Sequence, residues 1–229
     1  MKLVNSIRLP LIIIAIFWLV EFIEVILGLD FHYLGTLPRS SKGVIGIFLS
    51  PFLHGGFSHL LSNSSSFFIL CGSVIYFYPR ISLKIITQTY IFTGIGVWLF
   101  ARGSYLENGI SHDTYHIGAS GLVYAYAAFL FCSGLFRKDT KSLVLSLAVA
   151  LLYNGMLYGL VPNQPGISWE SHLIGAIVGA FFAYRYRKVE SGTEEVIHNE
   201  RFYIPDEGYQ NIENQYMKYE YKENKSLEE

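Results

Sequence analysis

Ser120 stands between glycines in Gly118-Ala119-Ser120-Gly121, at the start of an apolar stretch. A serine hydroxyl is a poor nucleophile until a positioned base takes its proton, and flanking glycines leave it uncovered while backbone N–H groups at a helix start can face a developing oxyanion. A base is available in Ser171-His172, which opens a later apolar stretch carrying Gly175 and Gly179. His172, Gly175 and Gly179 share roughly one helix face, and a small-residue stripe of that kind lets another helix come close. His59 and Asn63 are four residues apart, so they also share a face, and both side chains can donate hydrogen bonds to an oxyanion. Each residue has a plainer reading. Serine in a membrane helix commonly bonds back to its own backbone, the glycines can serve helix packing alone, and a single membrane histidine can simply bridge helices. Taken together, the types and spacing point to acyl-transfer chemistry by a serine and a histidine.

These groups need elements to bring them together, and the composition says what kind. The chain has 229 residues, 52% hydrophobic and 15% charged, with a mean hydropathy of +0.34. Soluble domains are about 25% charged. Residues 189–229 hold eleven acids and four bases, a net of −7, while residues 1–188 net +6, so the overall −1 joins a basic apolar body to an acidic tail. Six segments approach the roughly 20 apolar residues that a spanning helix needs: about 9–28, 57–78, 84–101, 118–136, 142–161 and 170–184. The first is too long for a signal-peptide core, contains Trp18, Glu21 and Glu24, and lacks a small-residue cleavage site after it, so it reads as a span. Ten Lys and Arg residues flank one set of helix ends and three (Arg39, Lys42, Arg102) the other, which puts both termini in the cytoplasm. His59 and Asn63 open the second span, Ser120 the fourth and His172 the sixth. Alternate helices enter from the same face, so topology brings the four groups to similar depth, where ionisable residues face a bundle interior or a water-filled cavity.

The expected fold is therefore an all-α membrane bundle of six transmembrane helices over residues 1–188, followed by a disordered acidic cytoplasmic tail, 189–229. The long first loop, 29–56, mixes Pro38, Gly43, Gly46 and Pro51 with apolar residues and is expected to lie on or partly in the membrane surface; loop 102–117 reads as polar and mobile. Cys71 and Cys132 both lie in apolar stretches, which argues against a structural disulfide. The basic residues occur in short clusters and cannot form one nucleic-acid-tracking face. Metal binding by His54, His59, His112, His116 and His172 is the weaker reading, because no Cys or carboxylate sits beside them at ligand spacing and no H-E-x-x-H occurs. His54 is expected to anchor the first loop.

The segments HGGFSHLLSN (His54 to Asn63), GASG (Gly118 to Gly121) and SHLIGAIVG (Ser171 to Gly179), in this order on alternate helices, resemble the rhomboid intramembrane serine proteases. The resemblance covers about 10–188 and leaves out the tail. It implies that Ser120 is the nucleophile and His172 the general base of a dyad. The Ser120 backbone N–H would form the oxyanion hole with His59 and Asn63, and His54 would hold the first loop. Tyr124 would pack on the catalytic histidine, and Gly121, Gly175 and Gly179 would permit close helix packing. It further implies transmembrane segments of other membrane proteins as substrates, no cofactor or metal, and a plasma-membrane site opening outwards. The chain departs from the family pattern at Gly46-Ile47, where many members carry Trp-Arg; near Ile75, where a Glu is usual; and at Ser171, which replaces Ala. Two other functions are compatible with an apolar bundle: a non-catalytic client-binding relative, and a small transporter using Glu21, Glu24 and the histidines.

Overall fold

An apolar segment in hydrocarbon must satisfy its backbone internally, which favours the helix. In a computed structural model, which describes residues 2–138, 140, 143, 144, 147, 158–162 and 168–189, this is what the apolar stretches do. Six α-helices occur among the described residues: α1 (Lys2–Leu27), α2 (Gly46–Leu49), α3 (Phe57–Phe77), α4 (Ser82–Phe100), α5 (Ser120–Arg137) and α6 (Trp169–Arg185). By length and composition four of them, α1, α3, α4 and α5, can cross a membrane. The helix of α1 begins before the expected span at residue 9 and runs through Pro10. The 17-residue α6 is shorter and packs closely on α5 and on α4. The expected span 142–161 falls almost entirely outside the described residues, as does the tail from 190 onwards.

Lipid supplies no hydrophobic drive between helices, so packing and cross-helix hydrogen bonds must hold the bundle. The interior is aromatic. Phe17 of α1 meets Phe67 of α3 edge-on at 5.5 Å, Phe67 meets Tyr126 of α5 at 5.8 Å, and Tyr78 meets Phe129 at 5.2 Å. Trp18 Nε1 donates to Ser64 Oγ at 3.1 Å and ties α1 to α3.

The first loop is pinned to the end of α4 from both sides. Arg39 donates from its backbone N–H to the Trp98 carbonyl (2.9 Å) and from Nη1 to the carbonyls of Leu99 (3.2 Å) and Ala101 (2.7 Å), while Trp98 Nε1 donates to the Ser40 carbonyl (3.0 Å). A Trp and an Arg thus anchor this loop although the chain has Gly46-Ile47 where they are usual. Gly46 itself must stay bare: a Cβ there would lie 2.2 Å from the Gly35 backbone.

Loop 102–117 has a regular element of its own. It contains an antiparallel hairpin, β1 (Ser104–Glu107) and β2 (Ile110–Asp113), turned by Asn108 and Gly109 at φ 51° and 79°. Asn-Gly with both residues at positive φ is the preferred two-residue hairpin turn, because its twist matches that of the flanking strands. The Asn108-Gly109 pair carries that signal in the sequence itself.

Candidate active site

The α5–α6 contact determines the site. A Cβ on Gly175 would lie 2.0 Å from the Gly121 carbonyl oxygen, and one on Gly179 would lie 2.0 Å from that of Ala125. Gly175 and Gly179 are one turn apart, as are Gly121 and Ala125, so the two backbones touch at two successive rungs. This approach brings the first turns of the helices together, and with them Ser120 and His172. His172 Nε2 lies 2.8 Å from Ser120 Oγ. On its other side, His172 Nδ1 lies 2.8 Å from the carbonyl oxygen of Gly159. A carbonyl can only accept, so Nδ1 carries the proton and Nε2 is left to accept from the serine hydroxyl.

Tyr124, one turn after Ser120, stacks on the His172 ring at 4.2 Å between centroids and 9° between planes. Both rings are buried, and the face contact with the Gly159 bond fixes the imidazole in position and tilt. Ser120 is half-buried and so remains reachable.

The oxyanion candidates converge on the same turn. Ala119 caps α5 without any side-chain hydrogen bond, and the backbone bonds of this turn begin with Leu122, whose N–H donates to the Ala119 carbonyl at 3.0 Å. Gly118, at φ 100°, presents a bare Cα on which a Cβ would lie 2.9 Å from His59 Nε2 and 3.3 Å from Asn63 Nδ2. Gly55 N–H donates to His59 Nδ1 at 3.3 Å, so the His59 proton sits on Nε2, toward Gly118. Asn63 is 5% exposed, and its Nδ2 has no hydrogen-bond partner among the described residues. A buried donor left unpaired costs about 1–3 kcal/mol, and one beside a serine that is bonded to an imidazole is suited to a charge that forms only during reaction.

His54 packs between the rings of Phe17 and His59, each 5.2 Å away. Burial, with repulsion from His59, pushes its pKa down to about 4. The native state thus holds His54 neutral where the unfolded chain, with an ordinary value near 6.5, takes up a proton. The unfolded state therefore binds more protons between about pH 6.5 and 4, and stability falls as pH drops through that window. The expected result is a melting temperature in detergent that declines from pH 7 to pH 5, with a smaller decline in His54→Phe. Equal declines in both proteins would remove His54 as the source.

His116 joins three segments without having been singled out from the sequence as more than a weak metal ligand. Its backbone exchanges two 2.9 Å hydrogen bonds with Thr36 in the first loop. Its Nε2–H donates to the Arg102 carbonyl at 2.8 Å, and Nδ1 accepts from Ser168 Oγ at 2.5 Å. Ser168 Oγ in turn lies 2.6 Å from Ser171 Oγ, which gives the unusual serine before His172 a polar partner. Burial lowers the His116 pKa, in keeping with a neutral ring that donates once and accepts once. No sequence signal separated His116 from the other loop histidines. Gly159 was missed for a different reason: a backbone carbonyl acceptor leaves no mark on residue type. His112 lies exposed on β2 and stacks with Tyr105, away from these contacts.

A family model described as "Rhomboid domain" matches residues 41–189. An uncharacterized protein of Mycobacterium bovis is 31% identical over 174 residues, covering 75% of this chain and 71% of its own. An uncharacterized protein of Mycobacterium tuberculosis matches to the same extent. One from Mycobacterium leprae is 30% identical over 174 residues, covering 74% and 67%.

Proposed function

We propose, from the premise that this chain belongs to the rhomboid family and is an integral membrane protein, that it is a serine endopeptidase cutting other membrane proteins in or beside their transmembrane segments. The observation that carries this reading is the 2.8 Å contact between Ser120 Oγ and the unprotonated Nε2 of His172. An inactive relative that only holds clients has no need of an aligned serine, imidazole and carbonyl relay, and a transporter has none either.

The chemistry follows from the protons. His172 Nε2 takes the hydroxyl proton as Ser120 Oγ attacks the scissile carbonyl. The tetrahedral oxyanion is held by the Ser120 backbone N–H, His59 Nε2–H and Asn63 Nδ2. His172 then gives the proton to the leaving amine, and water repeats the sequence on the acyl-enzyme. The Gly159 carbonyl takes the place that a carboxylate fills in a triad, orienting the ring and accepting from Nδ1 without adding a full negative charge. No metal or cofactor has a part in these steps. A helical substrate hides its carbonyls in its own hydrogen bonds, so cleavage requires local unwinding, and helix-breaking residues near the scissile bond favour it. A small residue before that bond, a plasma-membrane location, cytoplasmic termini and a site opening outwards complete the reading, with residues 1–188 as the catalytic body.

A fluorophosphonate probe tests the activated serine, with labelling expected in the parent protein and absent in Ser120→Ala. A panel of tagged single-pass proteins, exposed to both forms, then tests cleavage. Equal labelling of the two would move the reactive group elsewhere. Removing a single oxyanion donor costs roughly 10²–10³ in rate in related hydrolytic sites. Asn63→Ala and His59→Ala are therefore each expected to lower kcat about 100-fold or more with KM little changed, and a loss confined to KM would assign them to substrate binding instead.

A further inference from the structure

Two carboxylates of α1, Glu21 and Glu24, are buried, and the serine chemistry uses neither. They lie three residues apart on one helix face. Acids at such a position are costly unless something compensates them. The chain leaving α1 turns at Gly28 (φ 62°) and folds back over the helix end. There Glu24 Oε1 accepts from the Phe31 N–H at 2.7 Å, while Asp30 Oδ1 accepts from the His32 N–H at 2.8 Å and lies 2.5 Å from His32 Nδ1. As a result one ligand atom each from Glu24, Asp30 and His32 lies within 4.8 Å of the others. Donors held tetrahedrally by one ion at about 2.0–2.2 Å are about 3.3–3.6 Å apart, so closure on an ion draws the widest pair in by about an ångström or slightly more and opens the direct Asp30–His32 contact.

A separate observation points the same way. Glu21 is 5% exposed, and its Oε2 has no hydrogen-bond partner among the described residues. An unpaired buried acid oxygen one helical turn from Glu24, on the same face, is the environment that a cation satisfies.

We infer that Glu24, Asp30 and His32, backed by Glu21, form a binding site for a divalent transition-metal ion of the zinc type. One imidazole among carboxylates suits zinc or manganese better than calcium, which prefers oxygen alone. Glu24 forms the buried floor, and the exposed Asp30 and His32 form a mouth open to water, so an ion has an entry path. His32 also faces the turn that carries His59, since His32 Nε2 and His59 Nδ1 are both 3.9 Å from where a Gly55 Cβ would sit. A bound ion fastens the chain after α1 to α1 itself, next to that turn.

The test uses the full chain without an affinity tag, in detergent, in the Ser120→Ala background so that its outcome is independent of proteolysis. Metal-stripped protein is titrated with Zn²⁺, and with Co²⁺ to read ligand type from visible absorption. Saturable one-to-one binding is expected, with a raised melting temperature. Asp30→Asn combined with His32→Gln changes only exposed side chains and is expected to weaken binding at least 100-fold, while His112→Gln leaves it unchanged. No saturable binding by the parent, or equal affinity in the double variant, overturns the site.

Discussion

Ser120→Ala is expected to abolish the proposed cleavage and to leave the fold intact. Removing the nucleophile of a serine hydrolase costs about 10⁶ in kcat, which here takes turnover to background. The fold survives because the packing at this turn comes from Gly121, Ala125 and the glycines of α6 rather than from the hydroxyl, whose contact is with the His172 ring. A melting temperature within a degree or two of the parent, with no product from any substrate in the panel, is the expected pair of measurements. Residual turnover within about a hundredfold of the parent would mean that another group attacks, and the dyad assignment would fall.

The largest stability effect is expected at Gly179, and the sharpest remote effect on activity at Gly175. In each case a single methyl meets backbone, 2.0 Å from a carbonyl oxygen on α5, and backbone cannot rotate away as a side-chain tip can. Overpacking typically costs 1–3 kcal/mol, and Gly179→Ala is expected at or above the upper end, about 3 kcal/mol, read as a lowered melting temperature in detergent. Gly175→Ala lies one turn nearer the reacting groups. To restore normal contact the helices must part by more than about 1 Å, and a misplacement of that size costs about 100-fold in rate. The 2.8 Å bond between Ser120 and His172 is the first contact to suffer. Normal melting and normal turnover in both variants would show that the glycines only fill space.

The acid sensitivity expected from His54 differs in kind, because it follows from burying a neutral ring among Phe17 and His59 rather than from the reacting groups. It reports on the loop that positions α3, so a pH-dependent loss of stability is separable from any pH dependence of the serine chemistry.

The apolar stretches, their polar interruptions and the glycine spacing were legible because each is a property of residue type at a fixed period. Lipid forces those stretches into helices whatever their neighbours are, so the boundaries of α3, α4, α5 and α6 fall within two residues of those expected. The convergence of Ser120, His172, His59 and Asn63 could be read in the same way, since helices entering from one face bring their first turns to similar depth. The hairpin turn at Asn108-Gly109 is legible in the same way, as a residue pair suited to positive φ.

What the tertiary structure alone decided is which atoms stand around the candidate site. The Gly159 carbonyl, which fixes the His172 tautomer, belongs to a backbone that any residue could supply. The Arg39–Trp98 anchor joins residues 59 positions apart, and His116 binds three segments through bonds that no local pattern encodes. Glu24, Asp30 and His32 meet only because the chain reverses at Gly28. Residue type and period belong to the local chain, whereas these partnerships depend on distances between segments that are set only when the helices pack.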